Sequence, residues 1–249
     1  MTSLEIADVP QKSLSCWPLA FSAGLLGVGQ NGLLVAIPVL VIQTNLSLSI
    51  WAVLLTLGSM LFLPSSPWWG KQIARRGSKP VVLWALGGYG ASFALLGLGS
   101  ALLATHAIPP RAGIGLLIIA RIIYGLTVSA MVPACQVWAL QRAGEGKRMA
   151  ALATISSGLS CGRLFGPLCA AAMLTLHPLA PMALLMVTPL LALIMLLRLP
   201  ATPPQPAADR KSARLTPACL PYLLCALLLS ATVSLMQLGL SPALARQFA

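Results

Sequence analysis

The chain has 249 residues, 58% of them hydrophobic and 8% charged, and a formal net charge of +12. Soluble domains carry charge on about a quarter of their residues, so a water-soluble globular protein is excluded and a bilayer is indicated. Nucleic-acid binding would need a cationic patch on a soluble surface, whereas here the cations fall in short segments between apolar runs.

The N-terminal tail, 1–16, holds Glu5 and Asp8 where a secretory signal would be basic. The apolar run after it is too long for a signal core, so no cleavage is expected. About twenty apolar residues in a helix, rising about 1.5 Å each, cross the hydrocarbon core. Seven such runs follow, at 17–43, 49–69, 81–104, 114–139, 149–174, 182–198 and 218–240. Pro38, Pro64, Pro133 and Pro167 fall inside them and do not count against a membrane helix, because neighbouring helices re-satisfy the backbone. The predicted organisation is a cytoplasmic tail at 1–16, a six-helix bundle at 17–198, a Pro-rich cationic linker at 199–217, and a seventh helix with the end of the chain at 218–249.

With the N-terminus in the cytoplasm, the inside segments hold Lys12, then Lys71, Arg75, Arg76 and Lys79, then Arg142, Lys147 and Arg148, then Arg198, Arg210, Lys211 and Arg214. The outside segments hold only Arg111 and Arg246. The positive-inside rule therefore predicts this orientation. The stretch from Gly70 to Pro80 becomes a cytoplasmic loop whose glycines, Gly70 and Gly77, permit a tight turn. The cysteines at 16, 135, 161, 169, 219 and 225 form no CxxC pair. They read as small packing residues, with no metal site.

Three groups of residues carry a pattern beyond topology. After the second run comes Gly70-Lys71-Gln72-Ile73-Ala74-Arg75-Arg76-Gly77-Ser78-Lys79; in the fourth is Arg121-Ile122-Ile123-Tyr124-Gly125; in the fifth is Gly162-Arg163-Leu164-Phe165-Gly166-Pro167-Leu168-Cys169-Ala170-Ala171. In order and position they resemble the loop signature G-x-L-a-D-R-x-G-r-k, the fourth-helix R-x-x-q-G and the fifth-helix G-x-x-x-G-P-x-x-G-G of the major facilitator superfamily. Met131 to Gln136 and Glu145 to Ala150 also resemble that family's passage from fourth to fifth helix. Ala74 stands in place of the loop motif's Asp, which puts the interdomain latch of that motif in doubt, and Ala170 and Ala171 replace the final glycine pair.

The resemblance implies an all-α integral membrane fold: the six-helix N-terminal half of a major-facilitator transporter, and the first helix of the second half. It implies alternating-access transport of a small molecule, and the fifth-helix motif implies export, as in the family's antiporters for drugs and siderophores. The setting would be a bacterial inner (plasma) membrane. No cofactor is implied, and a proton gradient is the energy source that antiport would use. The family fold has two six-helix halves with the site between them. A chain ending at Ala249 is thus expected to be an incomplete transporter, whether truncated product, fragment or half of an assembly, whose required partner is the missing C-terminal half. A non-transporting remnant is the alternative.

The residues themselves add chemistry. Gly158, Gly162 and Gly166 recur every fourth residue, which puts them on one helix face where a neighbour approaches closely; Pro167 invites a bend. Plain packing and a pivot for alternating access both remain open. An Arg deep in a membrane helix costs about 2.5–3.5 kcal/mol and usually faces a bundle interior or a cavity. Helix rise puts Arg121 and Arg163 at comparable depth, with Gln30 and Asn31 of the first run near the same level. No Asp or Glu lies in any run, so this belt of donors suits an anionic, oxygen-rich compound by pairing with carboxylate or catecholate oxygens. For Arg121 a structural role on backbone carbonyls competes with this. Proton coupling needs a titrating group near the cavity, and His106 and His177 both fall in outside loops. A retinal protein would want a Lys in its last helix, and a membrane enzyme would want clustered His, Asp or Glu at depth; neither pattern is present.

Overall fold

The computed structural model describes residues 16–201 and, farther on, Pro221, Leu224, Cys225 and Leu228. The chain divides into two compact units, Met1–Pro206 and Ala207–Ala249. In the second, those four residues are helical and exposed. The expected seventh span otherwise lies outside the described residues, as do 1–15 of the tail and 202–217 of the linker.

In the first unit the described helices are α1 (Trp17–Thr44), α2 (Leu48–Met60), α3 (Phe62–Arg76), α4 (Ser78–Ala104), α5 (Pro110–Val128), α6 (Met131–Ala143), α7 (Arg148–Leu174) and α8 (Ala180–Leu197). A 3₁₀ turn at Glu145–Lys147 precedes α7. No strand occurs among the described residues. The stretches Trp17–Thr44, Leu48–Arg76, Ser78–Ala104, Pro110–Ala143 and Ala180–Leu197 are long and apolar enough to cross a membrane. At 27 residues α7 has the length, but Thr154, Ser156, Ser157, Ser160, Arg163 and its glycines dilute its hydropathy.

The expected second and fourth spans are each two helices. The breaks, at Leu61 and at Ser129–Ala130, lie just ahead of Pro64 and Pro133. A proline nitrogen cannot donate to the carbonyl four residues back, here that of Met60 and of Ser129. Pro38 and Pro167, by contrast, sit inside unbroken helices. The expected loop at Gly70 to Pro80 is also corrected: α3 continues to Arg76, so Gly70 and Arg75 are helical and the turn is Gly77 alone. Its φ of 85° lies where glycine is favoured, and its N–H bonds to the Ile73 carbonyl at 3.0 Å.

α1 packs most extensively on α7 and also on α8, while α4 packs on α5, α8 and α6. Gly24, Gly158, Gly162 and Gly166 bring α1 and α7 into backbone contact. A Cβ on Gly158 or Gly162 would overlap the Ala20 or Gly24 carbonyl, and one on Gly166 would come within 2.7 Å of the Val28 carbonyl oxygen. Trp51, Trp138, Tyr89 and Phe93 fill the core.

One end of the bundle gathers the charge. There the Ser78 hydroxyl bonds Gln141 Oε1 at 3.4 Å and Lys79 Nζ donates to the Leu197 carbonyl at 3.1 Å. Lys71, Arg75, Arg76, Arg142, Lys147, Arg148 and Arg198 belong to the same helix ends. At the opposite end Arg111 stands alone among the described cations.

Candidate functional site, a polar patch backed by an aromatic cage

Gln30 and Asn31 are half-buried near the middle of α1. Asn31 Nδ2 donates to the Arg163 carbonyl at 3.1 Å, linking α1 to α7. The close approach at Gly27, where a Cβ would lie 2.8 Å from the Arg163 nitrogen, holds this register. The Arg163 side chain is exposed.

Arg121 is placed differently. It is 2% exposed, enclosed by α2, α4 and α5. Its guanidinium lies 5.1 Å from the Tyr124 ring centre and 6.0 Å from that of Phe93. Nε and Nη2 have no hydrogen-bond partner, whether backbone carbonyl or side chain. The charge is therefore held by ring faces, which attract a cation through the aromatic quadrupole. Gly58 of α2 packs beside the Arg121 stem, where a Cβ would lie at an ordinary contact distance of 3.5 Å. Gly125, the last residue of the fourth-helix stretch, lies against the Gly58 carbonyl, with no space there for a Cβ.

Tyr124 joins the two cations. Its ring packs on Arg121, its hydroxyl lies beside the Gln30 side chain, and both Arg121 and Arg163 are within electrostatic reach of it. Tyr89 completes the cage, its ring edge-on to Phe93 with centres 4.9 Å apart, and Phe62 stacks on Tyr124 at 5.8 Å. The Tyr89 hydroxyl is buried beside Thr188 without a hydrogen-bond partner. It fits there because Gly29 has no side chain.

Of these aromatic residues, the sequence pattern marks only Tyr124, within the fourth-helix stretch. Tyr124 lies one turn from Arg121, a spacing that marks a shared helix face, and this signal was available. Nothing in the sequence pairs Tyr89 with Gly29.

Around the site, Arg75 is exposed and Arg76 lies over the Trp84 ring at 4.7 Å. Pro167 is half-buried one residue beyond the α1–α7 seam. His106 and His177 are exposed in the turns after α4 and α7, and His177 Nδ1 accepts from the Leu179 N–H at 3.1 Å. Among the described residues no three His, Cys, Asp or Glu side chains cluster as metal ligands would. A groove of about 590 Å³ runs along α1 and α7 past Trp17, Phe21, Cys161 and Phe165, and borders none of Gln30, Asn31, Arg121 or Arg163.

Long apolar helices, cations gathered at one end and a polar patch at mid-depth define a multi-pass integral membrane protein. Residues 19–248 match the family model of the Major Facilitator Superfamily, and the chain belongs to that family. Its members are transporters, so membrane transport of a small molecule is the activity the family supports. Comparison with curated proteins gave no match.

Proposed function

We propose that the protein exports an anionic, oxygen-rich compound of drug or siderophore type by secondary-active alternating access. Arg163, Gln30 and Asn31 form the accessible donor patch, and Tyr124 relays it to Arg121 behind. The observation that carries this reading is the charge at membrane depth: Arg121 packs on the Tyr124 ring, Arg163 lies within electrostatic reach of the same residue, and no described span contains Asp or Glu. An oxyanion entering this patch supplies the negative charge it lacks, through hydrogen bonds stronger than neutral ones. Export is favoured over uptake by the fifth-helix residues from Gly162 to Pro167. The cationic end of the bundle supports a cytoplasmic N-terminus, and the setting of this reading is a bacterial inner membrane. A proton gradient is the energy source this reading draws on.

The test is efflux from cells expressing the full-length transporter, this chain together with its C-terminal half, loaded with a catecholate chelator or with the cationic dye ethidium. The chelator is expected to leave faster than in control cells and the dye is not. Arg121→Ala is expected to abolish chelator efflux with membrane insertion intact, and Arg163→Ala to reduce it. Export of the dye alone, or efflux unchanged by Arg121→Ala, overturns the reading.

A further inference from the structure

α1, α7 and α8 meet at Gly32, where a Cβ would lie 3.4 Å from the Gly166 carbonyl oxygen and 3.5 Å from the Leu185 side chain. From there toward the cationic end, the face these three helices share carries two grooves. The one of about 590 Å³ runs between α1 and α7 past Phe21, Leu25, Val28, Cys161 and Phe165. The other, of about 360 Å³, runs between α1 and α8 and is lined by Phe21, Leu191, Ile194, Met195 and Arg198. Phe21 lines both. At about 100° of rotation per residue, Cys161 and Phe165 fall on one side of Gly162 and Arg163 on the other, so this face turns away from the donor patch.

In a bilayer, lipid tails cover any apolar face, and what sets this one apart is the charge at its mouth. Arg198 caps α8 and is exposed. A helix C-terminus favours a cation, but Lys79 already fills that role for α8 by donating to the Leu197 and Leu199 carbonyls. Among the described residues no carboxylate pairs with Arg198. Its planar fork suits phosphate, because it binds two oxygens at once. Trp17, 60% exposed and stacked on Phe21 with ring centres 5.4 Å apart, is the residue type that membranes hold at headgroup level.

We propose that this face binds one phospholipid with an anionic headgroup, its phosphate on Arg198 and one acyl chain in each groove, on either side of Phe21. Two apolar slots that share one residue fit a lipid with two chains. The unpaired Arg198 charge selects a headgroup of net negative charge, as basic pockets between membrane helices do on the cytoplasmic side. The site is separate from the transport site.

Native mass spectrometry of the detergent-purified protein tests it, with phosphatidylglycerol, phosphatidylcholine of the same chains, or single-chain lysophosphatidylglycerol added to the micelles. The protein is expected to retain one phosphatidylglycerol, several-fold more often than either of the others. Arg198→Gln is expected to erase the preference over phosphatidylcholine. Ile194→Trp, which fills the smaller groove from an exposed position, is expected to lower retention of phosphatidylglycerol to that of its lyso form. Lys71→Gln, which removes an exposed charge at the same end, is expected to change nothing. Equal retention of phosphatidylglycerol and either comparison lipid overturns the proposal, and so does a preference that survives Arg198→Gln. A preference lost equally in Lys71→Gln marks the field of the whole cationic end in place of a site and overturns it too. So does a dimer abolished by Ile194→Trp, since a second copy then covers this face.

Discussion

Along α1 and α7 the contact is backbone to backbone, with Gly24 against Gly162 and Ala20 against Gly158, and no side chain between them. Around Arg121, in the same bundle, the contact is ring against guanidinium, with Phe93 and Tyr124 closing on a charge whose Nε and Nη2 bond to nothing. Close helix approach in a membrane gains dispersion contacts at small residues, so the seam favours assembly. An unpaired buried cation works against it. A fold that keeps such a group spends stability at that point, as proteins do at functional sites. The seam is thus where this bundle is held together, and the cage is where it has something to do.

Crowding the seam is expected to have the largest effect. In Gly162→Leu the new side chain meets the Gly24 carbonyl, which is backbone and cannot swing aside. A loss of about 3 kcal/mol is expected, at the upper end for overpacking, read as a lower unfolding temperature in detergent. A variant as stable as wild type would mean the two helices slide apart freely, and the contrast with the cage would fail.

Arg121→Leu should move stability in the opposite direction. Replacing a buried, poorly compensated charge by an apolar side chain gains about 2 kcal/mol, so the unfolding temperature rises while chelator efflux is lost. A fall in stability would show that the ring faces compensate the charge fully, and would make the cage a second structural seam. Tyr124→Phe separates ring from hydroxyl. The stacking on Phe62 and Arg121 survives, so stability changes by about 1 kcal/mol or less, while chelator efflux falls several-fold; unchanged efflux would remove Tyr124 from the link between Arg163 and Arg121.

Much of this contrast was legible in residue order, and the illegible part has a physical cause. Run length located the five stretches long and apolar enough to cross a membrane, because the bilayer imposes a length on any helix that crosses it. The four-residue period of Gly158, Gly162 and Gly166 marked a contact face, but not that α1 would fill it, since a period says nothing of the partner. The breaks before Pro64 and Pro133 were not legible, because Pro38 and Pro167 pass through intact helices and only tertiary packing separates the two cases. Taking Gly70 to Arg76 for a loop gave charge more weight than helix propensity, which is high for Lys, Gln, Ala and Arg. The depth of Arg121 was legible, but its enclosure depends on Phe93, from another helix.

The smallest expected effect concerns a third way of holding a charge, by backbone carbonyls. The last turn of α8 has no basic residue of its own, and Lys79 from the start of α4 donates to the Leu197 and Leu199 carbonyls. A cation at a helix C-terminus contributes about 0.3–1 kcal/mol, and this one is only half-buried, so Lys79→Met should lower stability by about 0.5 kcal/mol. That is too little to find reliably by melting. Hydrogen exchange reads it locally: amides in the last turn of α8 should exchange faster in Lys79→Met and return to the wild-type rate in Lys79→Arg, while amides near Arg121 and along the α1–α7 seam stay as they are. If exchange rises along the seam as well, the cationic end and the seam open as one unit, and the separation between the part that holds and the part that works would have to be redrawn around α8.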